Sequence, residues 1–135
     1  MKKLISLCLA LMLVVGLCST ASATTFTKSV QCTDPDGAYA KTDLSAVMEF
    51  CNHKIYVNYN AQGCSNSYTN HFRGYDQNDI YINDKWVTPG GGYYIQGSGF
   101  CEYWRYYLTM RGNTKYYENE GLTRVVLSGW FDPNR

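Results

Sequence analysis

The chain has 135 residues, with 12 Lys plus Arg against 11 Asp plus Glu and a formal net charge of +1. That balance argues against a broad electrostatic grip on nucleic acid or on an anionic membrane, because either needs a sustained basic excess. Aromatic residues are 16% of the sequence and 13 residues are tyrosine, a composition that favours strands over helices.

In chain order, the first 23 residues read as a secretory signal peptide. Lys2 and Lys3 precede an apolar run from Leu4 to Leu17, and Ala21-Ser22-Ala23 supplies the small residues of a cleavage site after Ala23. The run is shorter than the roughly 20 residues of a membrane span. A lipidated Cys18 is the rival reading, but the bulky Leu17 stands where a small residue is usual. Residues 24–135 are then expected to be a single secreted domain with no membrane span. Losing Lys2 and Lys3 leaves ten cations against eleven anions. Cys8 and Cys18 leave as well, so Cys32, Cys51, Cys64 and Cys101 remain, an even number that predicts two disulfides in an oxidising compartment. Of the three possible pairings the reading favours Cys51–Cys64 with Cys32–Cys101. Closing the shorter loop would contribute about 3 kcal/mol on the chain-entropy argument. Zinc is the alternative use of these thiols, but no CxxC or HxxxH spacing is present.

Thr25 to Gln31 alternates and predicts a first strand, followed by a turn at Asp34-Pro35-Asp36-Gly37. Asp43 to Cys51 (DLSAVMEFC) could be a short capped helix and is read as a strand, with a hairpin turn at Asn52-His53 leading into KIYVNYNA. There Ile55, Val57 and Tyr59 share one side. Gln62 to Asn78 is polar and reads as the longest loop, a place where function often sits. DIYINDKWV reads as a hairpin turning at Asn83-Asp84, and Tyr93 to Gln96 as a short strand. Residues 100–111 read as one regular strand, then a turn at Asn113-Thr114 and a last strand from Leu122 to Phe131. Many short strands predict an all-β fold, a small antiparallel β-sandwich or partly open barrel stapled by two disulfides.

The candidate site comes from strand phase. In GFCEYWRYYLTMRG, residues 99–112, alternation sends Phe100, Glu102, Trp104, Tyr106, Leu108 and Met110 to a core face. It sends Tyr103, Arg105, Tyr107 and Arg111 to an aromatic-basic surface. Tyrosine and arginine on a flat face stack on sugar rings and hydrogen-bond their hydroxyls. The plainer alternative is that Tyr–Arg pairs only cover a sheet. Arg124 and Trp130 would extend the surface if the last strand lay beside the 100–111 strand, or Trp130 would anchor the chain end in the core. His53 and His71 read as solvated turn residues, with no nucleophile motif beside either. Asp34 and Asp36, and Asp76, Asn78 and Asp79, lack the full spacing of a calcium loop. Glu49, Glu102, Glu118 and Glu120 leave a carboxylate pair for glycoside hydrolysis open.

The patches SYTNHFRG (67–74) and GGGYYIQG (90–97) resemble motifs of small secreted bacteriocins of the lactococcin 972 type, in the reverse order and in a longer, cysteine-bearing chain. The resemblance implies a secreted toxin, and a bacteriocin-like toxin or a small inhibitor is the second reading. The residues themselves favour a non-catalytic extracellular binding module without a cofactor. Its partner would be a glycan or a protein, and its surface Tyr103, Arg105, Tyr107, Arg111, Arg124 and Trp130 together with the 62–78 loop. A small secreted hydrolase is the third reading.

Overall fold

The computed structural model describes residues 23–31, 39–62, 69–112 and 124–135. Eight strands follow one another: β1 (Thr24–Gln31), β2 (Ala40–Lys41), β3 (Lys54–Gln62), β4 (Asn70–Asp76), β5 (Tyr81–Val87), β6 (Gly92–Gln96), β7 (Tyr106–Gly112) and β8 (Arg124–Asp132). They form two four-stranded antiparallel sheets, in the orders β1-β8-β3-β6 and β2-β7-β4-β5. No helix occurs among the described residues, so the all-β expectation holds. The turn at Asp34–Gly37, the turn at Asn113-Thr114, Cys32 and Cys64 lie outside the described residues.

Alternation puts one side chain in two on an inner face, and the inner faces of both sheets feed a single core. Phe26, Ile55, Val57, Tyr59, Ile95, Leu127 and Phe131 come from the first sheet, and Phe72, Val87, Tyr106, Leu108 and Met110 from the second. Tyr59 and Phe72 meet across the layers at 4.7 Å. Tyr59 is wholly buried, and its hydroxyl donates to the Val87 carbonyl at 2.5 Å and accepts from Asn70 Nδ2 at 3.1 Å. A buried phenol needs such partners, and here they bridge the two sheets.

Several expected boundaries move. Residues 42–48 are not a regular strand. The amide N–H groups of Thr42, Ser45 and Met48 donate to the carbonyls of Leu108, Tyr106 and Trp104. Three residues on this side therefore match two on the other, the geometry of successive bulges. The hydroxyls fill the gaps this leaves: Thr42 Oγ1 accepts from Leu108 N and Ser45 Oγ from Tyr106 N, each at 3.0 Å. Thr42, Ser45 and Met48 are buried while Leu44, Val47 and Phe50 face solvent. With no strand before it, Asn52-His53 is not a hairpin turn; His53, at φ 54°, simply turns the chain into β3.

The stretch expected to be a loop, 62–78, contains β4, a central strand carrying the buried Phe72. Its polar residues misled because their side chains point outward or find partners. The turn that follows is built by Asp76, whose carboxylate accepts from the N–H groups of Asn78 and Ile80 at 2.8 and 3.0 Å. Asn83 and Asp84 therefore sit inside β5, paired with Gly74 and Arg73. Gly74 is needed where it is, since a Cβ there would lie 2.7 Å from Phe100 Cζ.

The 100–111 strand is shorter than expected, because β7 begins only at Tyr106. Residues 98–99 and 102–103 turn, and Tyr103 takes a left-handed φ of 67° that breaks the alternation. Phe100, Tyr106, Leu108 and Met110 are core as expected. Trp104 is not, at 39% exposed, and Glu102 faces solvent. The Tyr106 hydroxyl holds this loop in shape, accepting from Cys101 N and donating to Cys101 O, both at 2.6 Å.

Candidate functional site

The outer face of the β2-β7-β4-β5 sheet is set by register. His71 lies between Arg111 on β7 and Trp86 on β5, Arg73 between Thr109 and Asp84, and Tyr75 between Tyr107 and Tyr81. Alternation along each strand then gathers these rings and cations on one side.

His71 is the centre of the face. It is only 5% exposed, against an expectation of a solvated turn residue, because β4 is an inner strand of its sheet. Its Nε2 lies 2.6 Å from Asp84 Oδ2 and its Nδ1 2.8 Å from the Tyr39 hydroxyl. The Trp86 indole stacks on it at 4.3 Å and 5°. Burial is the largest influence on the imidazole and pulls it below its ordinary range, against the upward pull of Asp84. The His71–Asp84 contact at neutral pH is thus a hydrogen bond and not an ion pair. An ionised carboxylate can only accept, so Nε2–H donates to Asp84 and the Tyr39 hydroxyl donates to Nδ1. Tyr81 also donates to Asp84, and hydrogen bonds from Tyr81 and then His71 hold that carboxyl below its usual range. Two guanidinium groups lie near the Tyr39 ring, Arg73 at 4.1 Å and Arg111 at 5.2 Å from its centroid. Burial pushes the Tyr39 phenol up in spite of them.

A second cluster lies further along the face. Tyr75 and Tyr107 stack at 5.2 Å and 4°. The Tyr107 hydroxyl donates to Asp79 Oδ1 at 2.6 Å, and Lys41 Nζ reaches the same oxygen at 3.1 Å while lying 3.7 Å from the Tyr107 centroid. The Asp79 carboxyl is lowered, first by the Tyr107 hydrogen bond and then by Lys41. Burial, then the Asp79 bond, pushes the Tyr107 phenol far up. Tyr107 is 5% exposed, its ring already covered.

The six residues singled out from sequence therefore separate. Tyr107 and Arg111 lie on this face. Tyr103, 77% exposed, and the exposed Arg105 sit on the loop before β7. Arg124 and Trp130 are on β8, which belongs to the other sheet and not beside β7. Hairpin adjacency fails because β7 and β8, though consecutive, belong to different sheets. Trp130 instead joins a separate outer cluster, 5.2 Å from Tyr56, with the Arg135 guanidinium 5.2 Å from the Trp130 ring. Sequence reading missed Tyr39, Arg73, Asp84 and Trp86. A period-two reading of NHFRGYD would have put His71, Arg73 and Tyr75 together, but its polarity hid the strand.

On the described residues two orphaned atoms remain within this face. Thr109 Oγ1 and Arg111 Nε are buried with no hydrogen-bond partner, a state that costs free energy unless something fills it. Away from the face, one group of donors could hold a metal: Cys51, His53 and Cys101, with their ligand atoms within 4.8 Å of one another. No helix among the described residues is long and apolar enough to cross a membrane. No protein-family model matches the chain, and no curated protein matches it in sequence.

Proposed function

We propose that the protein is a small exported β-sandwich, stapled by two disulfides, that acts without catalysis as a binding module for an extracellular glycan. The observation that carries this is local to Trp86. Its indole is 42% exposed and held flat against His71, with the Arg111 guanidinium 5.8 Å from its ring. An immobilised indole offers a sugar ring a stacking surface at little entropic cost, and a guanidinium near it can donate to hydroxyls. The Tyr39–His71–Asp84 chain and the Tyr75–Tyr107–Asp79 cluster hold the surface rigid around it.

A second reading has one observation in its favour. Hydroxyl, imidazole and carboxylate stand in the order that activates a nucleophile, which suits a small secreted hydrolase. Against it, His71 is buried beneath Trp86, and burial raises the Tyr39 phenol so that it stays protonated.

Titration of the purified protein with soluble cell-wall and storage polysaccharides separates these. Trp86→Ala and Arg111→Ala should each weaken binding at least tenfold, an effect of about 1.4 kcal/mol. Trp130→Ala, on the other sheet, should leave binding unchanged. Wild-type binding by both Trp86→Ala and Arg111→Ala sinks the reading. Release of reducing ends that is abolished by Tyr39→Phe would replace it with the hydrolase.

A further inference from the structure

Two loops meet beside the start of β3. One, residues 49–53, leads into β3, and the other, residues 97–105, joins β6 to β7. Backbone hydrogen bonds fix their meeting: Gly97 N to His53 O at 2.8 Å, Met48 N to Trp104 O at 2.9 Å and Tyr103 N to Met48 O at 2.9 Å. The Tyr106 hydroxyl clamps Cys101 from both sides of its backbone. On this frame Cys51 Sγ lies 3.6 Å from the Phe100 carbonyl and Cys101 Sγ 3.4 Å from the Ser98 carbonyl. The two sulfurs are within 4.8 Å of each other. Both are thiols here.

We propose that Cys51 and Cys101 are the disulfide partners in the exported protein, and that their bond locks the loop carrying Tyr103, Trp104 and Arg105 to the start of β3. The assignment rests on the export reading above and sharpens its two disulfides. By count it pairs Cys32 with Cys64, where spacing along the sequence favoured Cys51–Cys64. Spacing along the chain does not see that Met48, three residues before Cys51, is hydrogen-bonded to Tyr103 and Trp104 on the loop that carries Cys101.

The chemistry balances with a protein disulfide carrier as oxidant. Cys51 is exposed, and the nitrogens of the His53 imidazole, at 3.6 Å from its sulfur, can accept its proton. The Cys51 thiolate attacks one carrier sulfur, the carrier's S–S bond breaks, and its other sulfur leaves as a thiolate. Cys101 then loses its proton and attacks Cys51 Sγ, expelling the carrier as a dithiol. Two electrons and two protons pass from the protein to the carrier. A closed structural zinc site, by contrast, takes four protein ligands, and the group among the described residues has three.

Trypsin resolves the assignment, because Lys28, Lys41, Lys54, Arg73, Lys85 and Arg105 place each of the four cysteines on its own peptide. Protein recovered from an oxidising compartment is alkylated, digested without reductant and read by mass spectrometry. The expected result is a link between the 42–54 and 86–105 peptides, with two thiols fewer to alkylate at Cys51 and Cys101. A 42–54 peptide linked to the Cys64 peptide or the Cys32 peptide overturns it. So does a chain that binds zinc with Cys51 and Cys101 both alkylatable after chelation. If the recovered chain still begins at Met1 and is fully reduced, the export reading fails. The pairing is then decided on that same chain by oxidation with glutathione disulfide, where the same link is expected and any other overturns it. In Cys51→Ser, Cys101 should become alkylatable while the Cys32–Cys64 link persists.

Discussion

An imidazole with both nitrogens bonded and one face under an indole has little room for a proton. The unfolded chain protonates His71 near its ordinary value of 6.5, whereas burial holds the folded-state value lower. Between these the unfolded state binds more protons, so the stabilisation is complete above about 6.5 and is lost as pH falls through the folded value. Asp84, held below its ordinary 3.8 by Tyr81 and His71, adds a loss of the same sign at lower pH. Urea midpoints measured from pH 8 to pH 3 should begin to decline near 6.5. In His71→Gln the decline should begin only in the carboxylate range. A His71→Gln profile parallel to that of the wild type would remove His71 as the cause. None of this was visible in the sequence, where His71 stands in a polar run and its partner Asp84 looks like half of a turn.

Among the elements, the 42–48 ribbon shows how hydroxyls can substitute for a ladder. Tyr106 N and Leu108 N would face an irregular neighbour, yet each is met by a side-chain oxygen three residues from the next. Ser45→Ala removes the acceptor of a buried N–H, which costs about 1–3 kcal/mol. Ser45→Thr should keep most of it if the methyl is accommodated. Denaturant unfolding of the two variants checks this, and an unchanged Ser45→Ala midpoint would show that the bond does not matter. Period two along DLSAVMEFC suggested a strand, but the buried positions recur every third residue, a spacing that only the β7 partner makes sensible. β5 reads wrongly for a related reason. It is an edge strand, and edges tolerate Asn, Asp and Lys, so its composition imitates a turn.

Across the described residues, the inner faces of the two sheets meet in apolar contact and around a pinned phenol, while Asn83 and Lys85 on β5 donate to the Gln96 and Tyr94 carbonyls on β6. Tyr59 belongs to the first sheet, while Val87 and Asn70, its hydroxyl's partners, belong to the second. Tyr59→Phe keeps the ring against Phe72 and deletes the bridge, so it should lower stability by about 1–3 kcal/mol while unfolding remains one transition. A variant as stable as the wild type would mean that this bridge contributes nothing measurable. The sheets also separate two aromatic surfaces. Trp86 with His71 and Arg111 lies on one outside, Trp130 with Tyr56 and Arg135 on the other. That separation is why Trp130 serves as the control for ligand binding at Trp86.

Strand content, the inward set of β3, the core role of Tyr106, Leu108 and Met110, and the outward phase of Tyr107 and Arg111 were legible in the sequence alone. Each follows from side-chain chemistry repeating at the two-residue period of a strand, a signal that a single segment carries by itself. Strand partners were not legible, and everything depending on them came from the tertiary structure: β7 beside β4 and away from β8, His71 between Tyr39 and Asp84, Trp86 over the imidazole, and Cys51 beside Cys101. The physical reason is that pairing is decided by which edges can bury the most apolar surface while satisfying their backbone groups. That is a property of both strands and the core they share, and no stretch of sequence contains it.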